Sequence, residues 1–302
     1  MTREHRFAQV DVFTDRVFGG NPLAVVFDAD DLGDAEMQSI AREMNLSETT
    51  FLLPPTRPEC AARVRIFTPA REVPFAGHPT IGTSWVLATE GLLPQGTRAS
   101  SSKKRSGPSR SSSRATRRAR AFSGCATARA VLGPELANRA AFAAALGLAE
   151  ADLRPGAPIC TGSTGSAFLF VPLRDKATGG PRRAGRAPPK GGGGGGPNLG
   201  VFVFAADPDP KAGRVYSRMF APHTSGIPED PATGSASGPL GAYLITHGLV
   251  APAPSVSIVS EQGTVMGRQS FVHIKIAMRG GRISELRVGG GVVPVIEGRL
   301  RV

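Results

Sequence analysis

Residues 8–13, AQVDVF, alternate polar and apolar positions with the two-residue period of a half-buried strand, and FGGNP at 18–22 supplies turn chemistry before a second strand at 23–27. Asp34 suits the start of a helix running to Met44, because Met37, Ile40, Ala41 and Met44 then share one face. The polar run 45–50 is wedged between this helix and the apolar residues 51–53. A strand at 63–67 and a helix at 80–90, ended by Gly91, complete the first ninety residues.

Further along, residues 167–173, 201–205 and 215–220 read as buried strands, and residues 237–247 as a helix closed by Gly248. Three more strands follow at 255–260, 271–277 and 283–288, and residues 292–302 look extended. The pattern predicts an α+β protein whose second half is strand-rich and built around one helix.

Two stretches break this patterning. Residues 97–127 contain SSSKKRSGPSRSSSRATRRARAF, which has no usable apolar period and reads as solvated chain. Residues 176–197 end near six consecutive glycines, Gly191 to Gly196.

These stretches also explain the charge. The formal net charge of +12 suggests a polyanionic partner, but ten basic residues lie between Thr97 and Pro134 with no acid. Six more lie between Arg174 and Lys190 beside Asp175 alone, which leaves 20 basic against 23 acidic residues elsewhere. The basicity is local.

The remaining composition narrows the function classes. A chain of 302 residues is long enough for one large or two ordinary domains. No run approaches the roughly 20 apolar residues of a membrane span, and the opening MTREHRFAQVDVF lacks the apolar centre of a signal peptide, so a cytoplasmic location is expected. Cys60, Cys125 and Cys160 form no CxxC pair, and the five histidines show no ligand spacing, so neither disulfides nor a metal site is expected.

The two halves echo one another. Residues 65–69 (RIFTP) match 218–222 (RMFAP), and each is followed within about a dozen residues by a glycine that opens a helix. The first opening is FAGHPTI at 75–81; the second is ATGSASG at 232–238. A glycine there lets a ligand reach the first free N–H groups of a helix, which with the helix dipole favour a carboxylate. Pro79 fits a first helical turn. Two such openings facing one another would hold a small anionic substrate.

Four side chains near these loops can do chemistry. Glu48 has polar neighbours in Asn45, Ser47, Thr49 and Thr50, while Leu46 and Phe51 can desolvate it, as a proton shuttle requires. His78 can orient a substrate or relay a proton. Asp230 and Ser235 lie in EDPATGSASGPLGAYL at 229–244. Taken singly, each has a plainer role: a surface glutamate, a structural histidine, an Asp-Pro turn, a serine bonded to its own helix. Together, on small-residue loops of both halves, they read as a site.

SETTF at 47–51, PFAGHPTIG at 74–82 and EDPATGSASGPLGAYL resemble the signature segments of the PhzF-like isomerases of phenazine biosynthesis, whose fold is that of diaminopimelate epimerase. DVFTDRVFGGNPLAVV at 11–26 and STGSAFLFVPL at 163–173 agree. The resemblance implies two similar α+β halves, each a curved, mostly antiparallel sheet around a central helix, with the active site between them, usually in a homodimer. The first half spans 1–128 and is completed by the strand 290–302; the second spans 129–289, with 97–127 and 176–197 atypical of the family.

The same resemblance places the catalytic glutamate at Glu48, the histidine at His78, and the aspartate and serine at Asp230 and Ser235. It implies substrate binding by Gly77, Thr233 and Gly234, with no cofactor and no metal. Where related epimerases carry two acid/base cysteines, this chain has Ala76 and Thr233, which argues against a two-thiol racemase. The implied reaction moves a proton at carbon in a small carboxylate, as in isomerisation of dihydro-3-hydroxyanthranilate, with Glu48 as acid and base.

The alternatives are a catalytically idle small-molecule binder and a nucleic-acid-binding protein on the same scaffold. The second is weakened by the lack of aromatics among the basic residues, and salt-insensitive or weak DNA and RNA binding would count against it. Abrupt replacement of family-like sequence by Arg, Ser, Gly and Pro at 97–127 and 176–197, with matching resumed afterwards, reads as out-of-frame translation of a GC-rich gene. Resequencing the gene tests that reading, and an intact frame identical to this one refutes it.

Overall fold

The computed structural model describes residues 2–58, 60–93, 98–101, 111–113, 122–127, 129–178, 199–221 and 227–302, with the backbone alone at 98–101, 111–113, 122–123 and 227. The chain divides into two units, residues 1–126 with 289–302 and residues 127–288.

In chain order the first unit carries β1 (Glu4–Val12), β2 (Asn21–Val26), α1 (Asp34–Met44), β3 (Glu48–Leu53), β4 (Cys60–Phe67), β5 (Glu72–Val73), α2 (Gly77–Thr89), β6 (Arg98–Ser101), β7 (Ser111–Ser113) and β8 (Phe122–Ala126). Its sheet is mixed. β2 lies antiparallel to β1 and parallel to β3, and β4 lies antiparallel to β3 and parallel to β6.

Strand alternation gives this sheet two buried faces. Val26, Phe51 and Phe67 pack with Met37 and Ala41 of α1, and Phe51 meets Phe67 edge-on at 5.4 Å. On the other face Leu23 and Val12 crowd Gly82 of α2, and Thr50 meets Thr83. A helix buried all round needs no polar stripe, and α2 has ten buried residues from Gly77 to Leu87.

The second unit carries β9 (Val131–Glu135), α3 (Arg139–Ala145), β10 (Cys160–Ser163), β11 (Ala167–Pro172), β12 (Gly200–Ala206), β13 (Arg214–Ala221), β14 (Ile227–Asp230), α4 (Gly234–Thr246), β15 (Ser255–Gln262), β16 (Ser270–Arg279) and the start of β17 (Arg282–Arg301). From Gly289 onward β17 belongs to the first unit, where it runs antiparallel to β1. β12 pairs parallel with β11 and antiparallel with β13, and β13 pairs parallel with β15.

Alternation again separates two cores. Leu169, Val171, Val201 and Val203 pack with Phe142 of α3, whereas Phe170, Phe202 and Phe204 cluster with each other and Tyr243 of α4. Each fully buried aromatic contributes about 1.5–3 kcal/mol.

Three expectations need correction. Strand β3 begins at Glu48, so the polar run 45–50 is partly strand: Thr49 and Thr50 are β-branched and take their place in the parallel ladder with β2. The second unit contains α3 as well as α4. The start of α3 is capped by the Asn138 side chain, which accepts from the Ala141 amide.

Within 97–127, read as solvated chain, backbone strands occur at β6, β7 and β8. Main-chain pairing needs no apolar period, and β7 pairs with β8. Residues 97, 102–110, 114–121 and 179–197 lie outside the described residues, as does Pro222 of the repeated RMFAP. Among the described residues no helix is long and apolar enough to cross a membrane.

Candidate functional site

In the first unit β3 and α2 bring Glu48 and His78 together across 30 residues of sequence. Nδ1 of His78 lies 3.4 Å from Oε2 of Glu48 and 3.3 Å from the Asn21 side-chain nitrogen. His78 is the second residue of α2, and Glu48 the first of β3, so both sit where a regular element begins. Beneath them the hydroxyls of Thr50 and Thr83 meet at 3.0 Å, and Thr50 also donates to the Ala24 carbonyl. That buried contact ties β3 to α2.

Burial lowers the His78 pKa to about 3, only partly opposed by the Pro22 carbonyl. The ring is therefore neutral near pH 7. It can donate one hydrogen bond or accept one at Nδ1, but it brings no positive charge to Glu48. Glu48 keeps 16% of its side chain exposed while His78 keeps 4%, so the carboxylate is the more accessible partner.

In the second unit Asp230 and Thr233 are joined directly. The Thr233 hydroxyl donates to Oδ2 of Asp230 at 2.6 Å, and the Thr233 amide donates to Oε1 of Gln262 at 3.1 Å. Both donors of Thr233 thus have internal partners. Ser235 is the second residue of α4 and partly exposed. Neither α2 nor α4 has a side-chain cap bond at its start, where Ala76 and Thr233 precede Gly77 and Gly234. Pro239 lacks an N–H, so the helical ladder supplies no partner to the Ser235 carbonyl.

The internal echo has a structural counterpart in each unit. Arg65 pairs with Glu72 through two 3.0 Å bonds and lies over Phe67; Arg218 pairs with Glu229 at 2.7 and 2.8 Å and lies over Phe220. In both units the paired glutamate comes five residues before the helix-opening glycine. The Thr80 hydroxyl donates to the Ala76 carbonyl, as Ser237 does to Thr233.

This correspondence shows where the halves differ. Glu48 pairs with Leu23, and the next residue, Thr49, with Phe67; Gly200 pairs with Phe168, and the next residue, Val201, with Phe220. Gly200 is thus the counterpart of Glu48. A side chain there would press on the Phe168 ring at 3.1 Å and the Met219 sulfur at 3.4 Å. The second unit has no acid at that position.

Two further buried polar residues lie beside the candidate residues, outside the motifs that mark them. Asn21 falls in the turn pattern FGGNP, yet it opens β2 beside His78. Gln262 carried a visible signal: in SVSIVSEQ the inward positions are Val256, Ile258, Ser260 and Gln262, so its amide sits in phase with the core.

A family model described as "Phenazine biosynthesis-like protein" matches residues 10–298. The trans-2,3-dihydro-3-hydroxyanthranilate isomerase of Pseudomonas aeruginosa is 36% identical over 98% of this chain and 99% of its own. The uncharacterized isomerase YddE of Salmonella typhimurium is 36% identical over 94% of each. A crystal structure of the Bacillus anthracis phenazine biosynthesis protein of the PhzF family superposes with a TM-score of 0.84 at 26% identity, covering 99% of this chain and 100% of that one. With its two-unit α+β fold, the chain belongs to the phenazine biosynthesis-like (PhzF) family of isomerases.

Proposed function

We propose that this isomerase moves a proton between carbons of a small carboxylate, with Glu48 as the single acid and base. The observation that carries this reading is the asymmetry of the repeat: Glu48 stands beside a neutral His78, while its counterpart is Gly200. A racemase working from two sides needs two proton carriers. One carrier suits removal and return of a proton on one face.

In this reaction Glu48 takes a proton from an activated carbon, and the C–H electron pair enters the adjacent π system and shifts its double bond. The protonated Glu48, whose carboxylic proton exchanges with solvent, then delivers a proton to the far carbon. No atom is gained or lost, and no net oxidation occurs. His78 holds Glu48 or a substrate hydroxyl by hydrogen bonding. On the second unit Asp230, oriented by Thr233, suits an amino or hydroxyl group, and Ser235 with the Gly234 amide suits a carboxylate. The first substrate to test is trans-2,3-dihydro-3-hydroxyanthranilate, the compound named for the Pseudomonas aeruginosa relative.

The test is mass spectrometry in D2O on a panel of small carboxylates that includes this compound. Deuterium entering one at carbon, with its double bond shifted, supports the reading. A folded protein that exchanges none of them refutes it for that class. The reading includes a homodimer, which sedimentation velocity would refute by showing a monomer at assay concentration.

A further inference from the structure

Gln262 is the last residue of β15, opposite Ser270 of β16, and its side chain is fully buried. Its amide makes three bonds to one turn. Nε2 donates to the Asp230 carbonyl at 2.8 Å and to the Thr233 hydroxyl oxygen at 3.0 Å, while Oε1 accepts from the Thr233 amide at 3.1 Å. Because the Thr233 hydroxyl accepts from Gln262, its one proton is directed to Asp230 Oδ2, 2.6 Å away.

The orientation of this amide is fixed by its partners. Reversing it would set oxygen against the Asp230 carbonyl and an NH2 group against the Thr233 N–H, so two good bonds would become two repulsions. Backbone packing reinforces the bonds: at Gly263, with φ of +74°, an added Cβ would lie 2.6 Å from the Pro231 carbonyl oxygen. The strand end and the turn are built against each other.

We propose that Gln262 is a positioning residue that aims the Asp230 carboxylate through Thr233, a role that rests on the reading of Asp230 as a substrate ligand. Its side chain fixes the backbone of the turn and the direction of the one hydroxyl proton on Asp230. Leucine at this position would keep the bulk and lose every bond. Glutamate would keep the acceptor and lose both donations while ionised, and would regain one when protonated.

The experiment compares wild type, Gln262→Leu and Gln262→Glu by amide hydrogen exchange across residues 228–236 and by proton transfer in trans-2,3-dihydro-3-hydroxyanthranilate. Gln262→Leu should stay folded, exchange these amides faster than wild type and lose about a hundred-fold in kcat, the scale of an ångström-sized misplacement. Gln262→Glu should recover activity toward acid pH relative to wild type, which general destabilisation would not produce. Unchanged exchange in the leucine variant, or faster exchange with unchanged kcat, overturns the proposal. If wild type does not act on this compound, the substrate reading has failed and the exchange comparison still decides whether Gln262 holds the turn. Should Gln262→Leu not fold, the pH profile of Gln262→Glu decides, and one parallel to wild type overturns the proposal.

Discussion

Nδ1 of His78 lies 3.4 Å from Oε2 of Glu48 on a ring that is 4% exposed, so the imidazole that faces this carboxylate is neutral. Burial holds the His78 pKa near 3 in the fold, against 6.5 for an ordinary histidine. Between those values the unfolded chain binds a proton that the folded one does not. The contribution is therefore complete above pH 6.5 and is lost as pH falls toward 3.

Going from pH 7 to pH 5, His78 should remove about 2 kcal/mol of stability. Chemical denaturation of wild type and His78→Gln at both pH values checks this. The variant should show the flatter pH dependence, and equal dependence would contradict the assignment.

The Arg218–Glu229 pair is largely buried, with 6% and 16% of the two side chains exposed, and the bond to Glu229 is the main reason the Arg218 pKa is raised. Glu229→Leu should cost about 3 kcal/mol, because it takes the bidentate carboxylate away from a buried guanidinium. The double variant Arg218→Met, Glu229→Leu should recover most of that loss. Urea denaturation of both variants tests it, and an undamaged single variant would show that the pair is dispensable.

Gly82 is packed where α2 meets the sheet: an added Cβ would lie 2.7 Å from a methyl of Leu23 and 2.8 Å from one of Val12. Alanine usually strengthens a helix by up to about 1 kcal/mol over glycine. Here overpacking should reverse the sign, and Gly82→Ala should destabilise by about 1–3 kcal/mol. A raised thermal midpoint would refute that.

How far this molecule can be read from its sequence depends on the kind of interaction. Strands such as β12, GVFVFAA, are legible because every residue is buried between two layers, and α1 because its apolar residues recur on one face. Helix α3, RAAFAAA, is too short and alanine-rich to show a period, and β5 has only two residues. The candidate residues Glu48, His78, Asp230 and Ser235 are legible through their motifs. Their partners are not: Asn21 reaches His78 over 57 residues and Gln262 reaches Thr233 over 29, contacts that only the ladders create.

The proposed proton transfer depends on one acid, Glu48. The measurement that tests it most directly is the rate of proton transfer in Glu48→Gln, which keeps the size of the side chain and removes its ability to carry a proton. With circular dichroism and thermal midpoint unchanged, kcat should fall by about a thousand-fold or more, within or beyond the usual span for loss of an acid/base group. A folded Glu48→Gln variant within about ten-fold of wild type would contradict the account, since general acid/base catalysis supplies at least about a hundred-fold.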